Sequence, residues 1–333
     1  MIFEKIYTVP TSDELLDKAF RRASRARAGK VTRNKEDILK AHESSIITAS
    51  NILSDNMANI VRRFPSFDEI PRLYYELADI LVGVDEIRKS LSSVDWASKK
   101  IHEISRYYIG KMRTSRDAVT VKKEAFGRIA SITKSVDSDL VFLNRARNIL
   151  RKLPDIYDEP TIIVAGYPNV GKSSFVAYVT DARPEIASYP FTTKGVSIGH
   201  LISNSKRYQI IDTPGLLDRP MSERNSIELQ AITALEYLDA VVLYIVDASE
   251  TCGYPVDQQK KLLDEIRTEF DLPVLVASNK TDIEHKEIDF ADMEISSITG
   301  QGIDGVLQEL ISMIEKQEEK NRDHPVSTES SSP

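Results

Sequence analysis

Cysteine is almost absent from this 333-residue chain: Cys252 stands alone, so an internal disulfide is excluded and a reducing compartment fits. Five histidines, His42, His102, His200, His285 and His324, show no ligand spacing with one another or with Cys252, which argues against a Cys/His zinc site. No apolar run approaches the roughly 20 residues needed to span a bilayer. The opening MIFEKIYTVPTSDELL lacks the basic region, apolar stretch and small-residue cleavage site of a secretory signal. Membrane insertion and secretion are therefore not expected, and a cytoplasmic location is. No internal repeat is evident.

Charge is plentiful, at 29% of residues, and unevenly placed. The net charge of -7 conceals +8 over residues 1–157 and -15 over the remainder. Such asymmetry predicts that the first half meets a polyanion. The length allows two domains, each with its own core.

The first half has helical periodicity. A T-x-x-E capping box at Thr11 to Glu14 opens a helix with Leu15, Leu16, Ala19, Phe20 and Ala23 on one face. A second apolar pattern runs through Ile46, Ile47, Ile52, Leu53, Met57, Ile60 and Val61 to Pro65. A further box, Ser66 to Glu69, predicts a helix through Leu81 ended by Gly83, and a long helical run follows from Trp96 to Leu153, with breaks expected near Gly110 or Gly127. These features predict an antiparallel helical bundle over residues 1–157.

After LPDIYDEP the period changes. TIIVAG (161–166), VSIGHLI (196–202), YQIID (208–212), VVLYIVD (241–247) and PVLVASN (273–279) read as strands, separated mostly by helical patterns at 172–180, 224–238, 257–269 and 303–316. Residues 158–318 are expected to form an α/β domain, a mixed, mostly parallel sheet with helices on both faces, followed by a disordered tail over 319–333.

Three motifs lie in this second half. GYPNVGKS, Gly166 to Ser173, has the G-x-x-x-x-G-K-S spacing directly after a strand and opening a helix. Its glycines let backbone N–H groups curl toward phosphates, Lys172 reaches the β and γ phosphates, and the Ser173 hydroxyl ligates Mg²⁺. Tyr167, Pro168, Asn169, Val170, Gly171 and Ser174 complete that phosphate-binding stretch. DTPG places Asp212 beside the metal and offers the Gly215 N–H to the γ-phosphate, and Thr192 and Thr193 are possible hydroxyl ligands between the two motifs. NKTD supplies Asn279 as a brace, Lys280 as a stem against the base, and Asp282 as an acceptor for the two guanine donors that adenine lacks. Ser296 and Ser297, in SSITGQG, are placed for the Ser297 N–H to meet the guanine carbonyl.

The order GYPNVGKSS, YPFTT, DTPGLLDRP and NKTD resembles the Obg group of GTPases. Within it, DRPMSERNSIELQAITALEYL and SETCGYPVDQQ resemble the nucleolar GTP-binding protein family. The resemblance implies GTP hydrolysis to GDP, Mg²⁺ dependence and binding to ribosomal RNA during assembly of the large ribosomal subunit or its precursor. Family members with long C-terminal extensions differ from this chain, which resembles a compact archaeal form; a nucleolar location is not carried over. A monomer is expected when the chain is free.

Arg21, Arg22, Arg25, Arg27, Lys30, Arg33 and Lys35 carry no acid among them, and residues 99–134 hold ten basic residues against three acidic ones, interleaved with Tyr107 and Tyr108. An RNA-backbone footprint and a solvated helix face are the competing readings.

Leu216 follows the glycine of DTPG, where many GTPases carry a glutamine that orients the attacking water. Slow intrinsic hydrolysis is expected, assisted by K⁺ held at Asn169 or by the ribosomal particle, with Lys172, Thr193 and Gly215 as the other catalytic candidates. Leu216→Gln is expected to leave the rate little changed. Two other readings stay open: a GTP-dependent RNA-binding scaffold with incidental turnover, and a GTPase acting on mature ribosomes.

Overall fold

The computed structural model describes residues 2–28, 34–115, 117–157, 159–180, 184–187, 189–190, 195–283 and 287–323. Lys30, Arg33, Thr192, Thr193 and residues 324–333 lie outside the described residues. The chain divides into two compact units, Met1–Ile70 with Leu81–Arg151, and Pro71–Ile80 with Lys152–Pro333. The expected division is at 157; here the ten-residue segment Pro71–Ile80 groups with the second unit, as does the chain from Lys152 on.

In the first unit, α1 (Ser12–Ala28) opens on the expected box, Glu14 N donating to Thr11 Oγ1 at 3.3 Å and Thr11 N to Glu14 Oε2 at 2.9 Å. Leu15, Leu16, Ala19 and Ala23 are buried as their spacing predicts, and Phe20 stacks on Phe126 with centroids 4.7 Å apart. The next helix, α2 (Lys35–Arg63), starts at an Asn34 cap and buries Ile46, Leu53, Met57 and Ile60, but Ile47 faces outward. Ser66 and Glu69 form a backbone turn, Glu69 N donating to Ser66 O, and not a capping box. The helix after it, α3 (Arg72–Val82), begins beyond Pro71 and ends at Gly83, whose φ of 89° suits only glycine well.

The long run then splits into α4 (Val84–Thr114), α5 (Ala118–Ser135) and α6 (Asp137–Leu150). Gly110 and Gly127 lie inside helices, so neither makes the expected break. The break falls instead at Ser115 to Asp117, where the Asp117 carboxylate accepts from Val119 N and Thr120 N and caps α5. A second break falls at Val136. Ser54 and Ser98 exchange hydroxyl-to-carbonyl hydrogen bonds of 2.9 and 3.0 Å, so α2 and α4 approach closely through small side chains. Glu43 of α2 meets Arg113 of α4 at 2.8 Å, far along from that pair in opposite chain directions, so the two helices run antiparallel.

The second unit is built on β1 (Thr161–Ala165), β2 (Glu185–Ala187), β3 (Val196–Ser203), β4 (Lys206–Asp212), β5 (Ala240–Asp247), β6 (Val274–Asn279) and β7 (Met293–Glu294). They form one sheet in the order β2-β3-β4-β1-β5-β6-β7. Pairing is parallel from β4 through β7 and antiparallel for β2 with β3 and β3 with β4. All residues of β1 and β5 are buried, as fully apolar β-branched runs require.

Helices α7 (Lys172–Val179), α8 (Ser226–Thr233), α9 (Val256–Glu269) and α10 (Ile303–Asp323) occupy the connections and the end. The helical stretch expected at 224–238 is interrupted: 3-10 turns at Met221–Glu223 and Ala234–Tyr237 flank α8. The tail expected from 319 is helical through Asp323, because KQEEKNRD is rich in strong helix formers and Glu318 is tied to Lys206 by contacts of 2.5 and 2.7 Å. Among the described residues, no helix is long and apolar enough to cross a membrane.

Candidate nucleotide site

The loop from Gly166 to Gly171 joins β1, near the middle of the sheet, to α7. Gly166 has φ 134°, and a Cβ there would lie 2.3 Å from the Ile245 carbonyl oxygen. Gly171 has φ 109°, and a Cβ would lie 2.1 Å from Asn279 Nδ2. Both glycines are therefore required by conformation and by close approach. Asn169 is exposed at a left-handed φ of 63°, a conformation asparagine tolerates. Val170 and Tyr167 are buried, and the Tyr167 ring packs 4.4 Å from that of Tyr254. Lys172 is buried and its ammonium donates to Gly166 O at 2.7 Å and Tyr167 O at 2.8 Å. Ser174 is exposed in the first turn of α7.

Ser173 Oγ donates to Asp212 Oδ2 at 2.6 Å, while Asp212 Oδ1 is buried without a hydrogen-bond partner. Burial raises the Asp212 pKa above the usual carboxylate value; the Ser173 hydrogen bond and Lys172 oppose the rise, and the Asp218 charge adds to it. A hydroxyl beside a carboxylate with a spare oxygen is the hard donor set that Mg²⁺ accepts, so these two residues fit that ion. No cluster of three or more His, Cys, Asp or Glu is placed to hold a metal among the described residues.

The segment after β4 is tightly braced. Thr213 Oγ1 donates to Val164 O at 2.9 Å, and Leu216 N to Thr213 O at 3.0 Å. Leu216 is 1% exposed, so its side chain belongs to the core. Arg224, whose side chain is equally buried, donates from Nη1 to Gly215 O at 3.1 Å and from Nη2 to Leu216 O. The Gly215 N–H, expected to face a γ-phosphate, instead donates to Asp218 Oδ2 at 2.7 Å.

At the other end, the carboxyl ends of β1 and β6 bring the phosphate loop and NKTD together. Asn279 Nδ2 donates to Val170 O at 2.8 Å, and Asn279 Oδ1 accepts from Ser297 N at 2.9 Å and Ser297 Oγ at 3.1 Å. Asn279 thus links the phosphate loop to the Ser297 loop. The Ser297 N–H, expected to meet a guanine carbonyl, donates to Asn279 in this structure. Ser296 Oγ donates to Asp282 Oδ1 at 2.6 Å and fixes that exposed carboxylate, which retains acceptor capacity. Lys280, at φ 70°, donates from Nζ to Asp247 Oδ2 at 2.7 Å and to Thr251 Oγ1 at 2.9 Å.

Sequence reasoning missed the supports behind that lysine. Asp247, fully buried at the end of β5, also accepts from Ser249 and from Cys252 N at 2.7 Å, and Gln259 binds Asp247 N and the Asp247 and Tyr254 carbonyls. Burial pushes the Asp247 pKa up, but Lys280, Ser249 and the Cys252 N–H together hold it below the usual range. The signal was present: VVLYIVD ends in a strand-terminal aspartate just as YQIID does.

In the first unit Arg21, Arg22, Arg25 and Arg27 are exposed on α1, and Lys35 is exposed at the start of α2. Arg21 is paired with Asp17 one turn away. Burial and the charge of Arg27 lower the pKa of Lys122 on α5.

Residues 3–157 match the NOG1 N-terminal helical domain, and residues 226–282 match nucleolar GTP-binding protein 1. An uncharacterized protein of Methanocaldococcus jannaschii is 40% identical over 291 residues, spanning 86% of this chain and 82% of its own. The nucleolar GTP-binding protein 1 of Caenorhabditis elegans is 36% identical over 85% of this chain, which spans only 43% of that protein's length. A crystal structure from Plasmodium falciparum, given the same family name, is 33% identical, covering 51% of this chain and 93% of its own at a TM-score of 0.46. With a helical first unit and a phosphate-loop α/β second unit, this chain belongs to the nucleolar GTP-binding protein 1 family.

Proposed function

We propose that this chain is a Mg²⁺-dependent GTPase that binds ribosomal RNA and assists assembly of the large ribosomal subunit. The observation that carries the nucleotide half is the Asn279 side chain, which ties the phosphate loop at Val170 to the Ser297 loop beside Asp282. Phosphate and base recognition are thereby held at one edge of the sheet, where ligands bind in such folds. Lys172 carries the charge for the β and γ phosphates. Asp282, oriented by Ser296, accepts from the guanine N1–H and exocyclic amine. Mg²⁺, when bound, supplies positive charge beside the phosphates, and Ser173 and Asp212 are the residues to hold it. Leu216, buried in the core, cannot orient water; that help comes from K⁺ at Asn169 or from the docked particle.

The RNA half rests on Arg22, Arg25 and Arg27, exposed along α1, and on Lys122, whose charge is disfavoured by burial and by the nearby Arg27. A phosphate would relieve that repulsion. Each phosphate neutralised should add roughly 0.7 to 0.9 to the slope of log affinity against log salt.

The test is GTP hydrolysis by the full chain, alone and with precursor or mature large subunits, in K⁺ and in Na⁺. Stimulation by precursor particles is the expected result. Equal stimulation by mature subunits favours a translation role, and no stimulation in any condition favours the scaffold. Asp282→Asn should shift preference from GTP toward XTP, because an amide donates where the xanthine carbonyl replaces the guanine amine.

A further inference from the structure

The Gly215 N–H has one hydrogen to give. Its present acceptor is Asp218 Oδ2, at 2.7 Å, three residues along the same loop. The nucleotide reading assigns that donor to the γ-phosphate. A carboxylate and a γ-phosphate oxygen cannot both occupy it, and both are anions. We propose that Asp218 is a specificity-determining residue: it competes with the γ-phosphate for Gly215 and so lowers affinity for GTP while leaving GDP, which has no γ-phosphate, unaffected. This inference rests on the nucleotide-binding reading above.

The surroundings make the carboxylate the movable part. The backbone on both sides is fixed, with the Gly215 and Leu216 carbonyls held by Arg224 and with Leu216 and Leu217 N–H groups both donating to Thr213 O. The Asp218 side chain is 16% exposed, so it borders solvent. Arg224 Nη2 lies 3.9 Å from Asp218 Oδ1, and Arg224 Nε is buried without a partner. A displaced carboxylate therefore has a cation beside it that is short of one acceptor. Removing Asp218 would lessen the negative charge that any γ-phosphate must approach.

The test measures dissociation constants of the full chain for GDP and for GppNHp, a nonhydrolysable GTP analogue, in saturating Mg²⁺. For Asp218→Ala the ratio of GDP to GppNHp dissociation constants should rise about tenfold, the scale of a hydrogen bond to a charged group. GDP affinity should stay within about twofold, well under that scale. Asp218→Asn keeps an acceptor without the charge and should give roughly a threefold rise, since neutral hydrogen bonds are about half as strong; it decides the matter where the alanine variant is unstable. An unchanged ratio, equal gains for both nucleotides, or weaker GppNHp binding overturns the inference. If the parent chain binds neither nucleotide, the nucleotide reading fails and takes this inference with it; if the parent binds both and the ratio does not move, only this inference fails.

Discussion

The two ends of the candidate nucleotide site are held in different ways. At the base end, Asn279 and Lys280 bond to Val170 O, Ser297 N and the buried Asp247, and Ser296 orients Asp282, which retains acceptor capacity. At the phosphate end the protein's own atoms take the bonds a nucleotide would take. Lys172 is satisfied by two loop carbonyls, Ser173 by Asp212, and Gly215 by Asp218. The base end is prepared for its ligand, whereas the phosphate end must exchange partners. Base recognition should thus be sensitive to the protein's stability, and phosphate recognition to local charge.

This contrast can be broken by substitution. Lys172→Met should weaken GDP binding about a hundredfold, the scale of losing one member of a desolvated charge pair; calorimetric titration would show it, and a loss below tenfold would mean that the ammonium stays on its carbonyls when nucleotide binds. Asn279→Ala should act through the fold, costing about 2 to 4 kcal/mol because it strands both Val170 O and Ser297 N. Thermal unfolding should drop by roughly 5 to 15 °C, and GDP and GppNHp should weaken in equal proportion.

Smaller effects sharpen the same contrast. Leu216→Gln would bury an amide in a position that is 1% exposed and should cost about 1 to 3 kcal/mol without accelerating hydrolysis. This adds a loss of stability to the expectation of a little-changed rate. A rate increase in this variant would show that the side chain turns outward. The smallest effect concerns acid stability. Asp247 is held below the usual carboxylate range, so its contribution is present above about pH 4 and is lost as pH falls through its lower folded value. Asp247→Asn should flatten that acid limb in denaturant titrations below about pH 4. An unchanged limb would show that other carboxylates govern acid unfolding.

Much of this was legible in the sequence because it depended on local pattern. Buried β-branched runs gave β1, β4, β5 and β6, and the G-x-x-x-x-G-K-S spacing located Lys172 and Ser173. What was illegible depended on partners distant in sequence or on very short pairing. Three residues of β2 and two of β7 carry no period. The helix break at Asp117 was hidden by two more conspicuous glycines, although an aspartate followed by a threonine three residues on is a readable cap. No spacing rule could show that the Ser297 and Gly215 N–H groups were already engaged, since that turns on which side chain reaches them first.

The helix α3 has a practical bearing on dissecting this chain. Tyr74 donates from its hydroxyl to Pro154 O at 2.8 Å and accepts from Ile156 N at 2.7 Å, so a short helix from early in the sequence is stitched to the segment leading into β1. The polypeptide passes between its two units at 70/71, 80/81 and 151/152, and no single cut separates them. A recombinant fragment begun at residue 158 would discard that helix and both of the backbone groups it secures. Fragments meant to report on the α/β unit alone would need residues 71–80 supplied as a separate peptide or spliced ahead of residue 152.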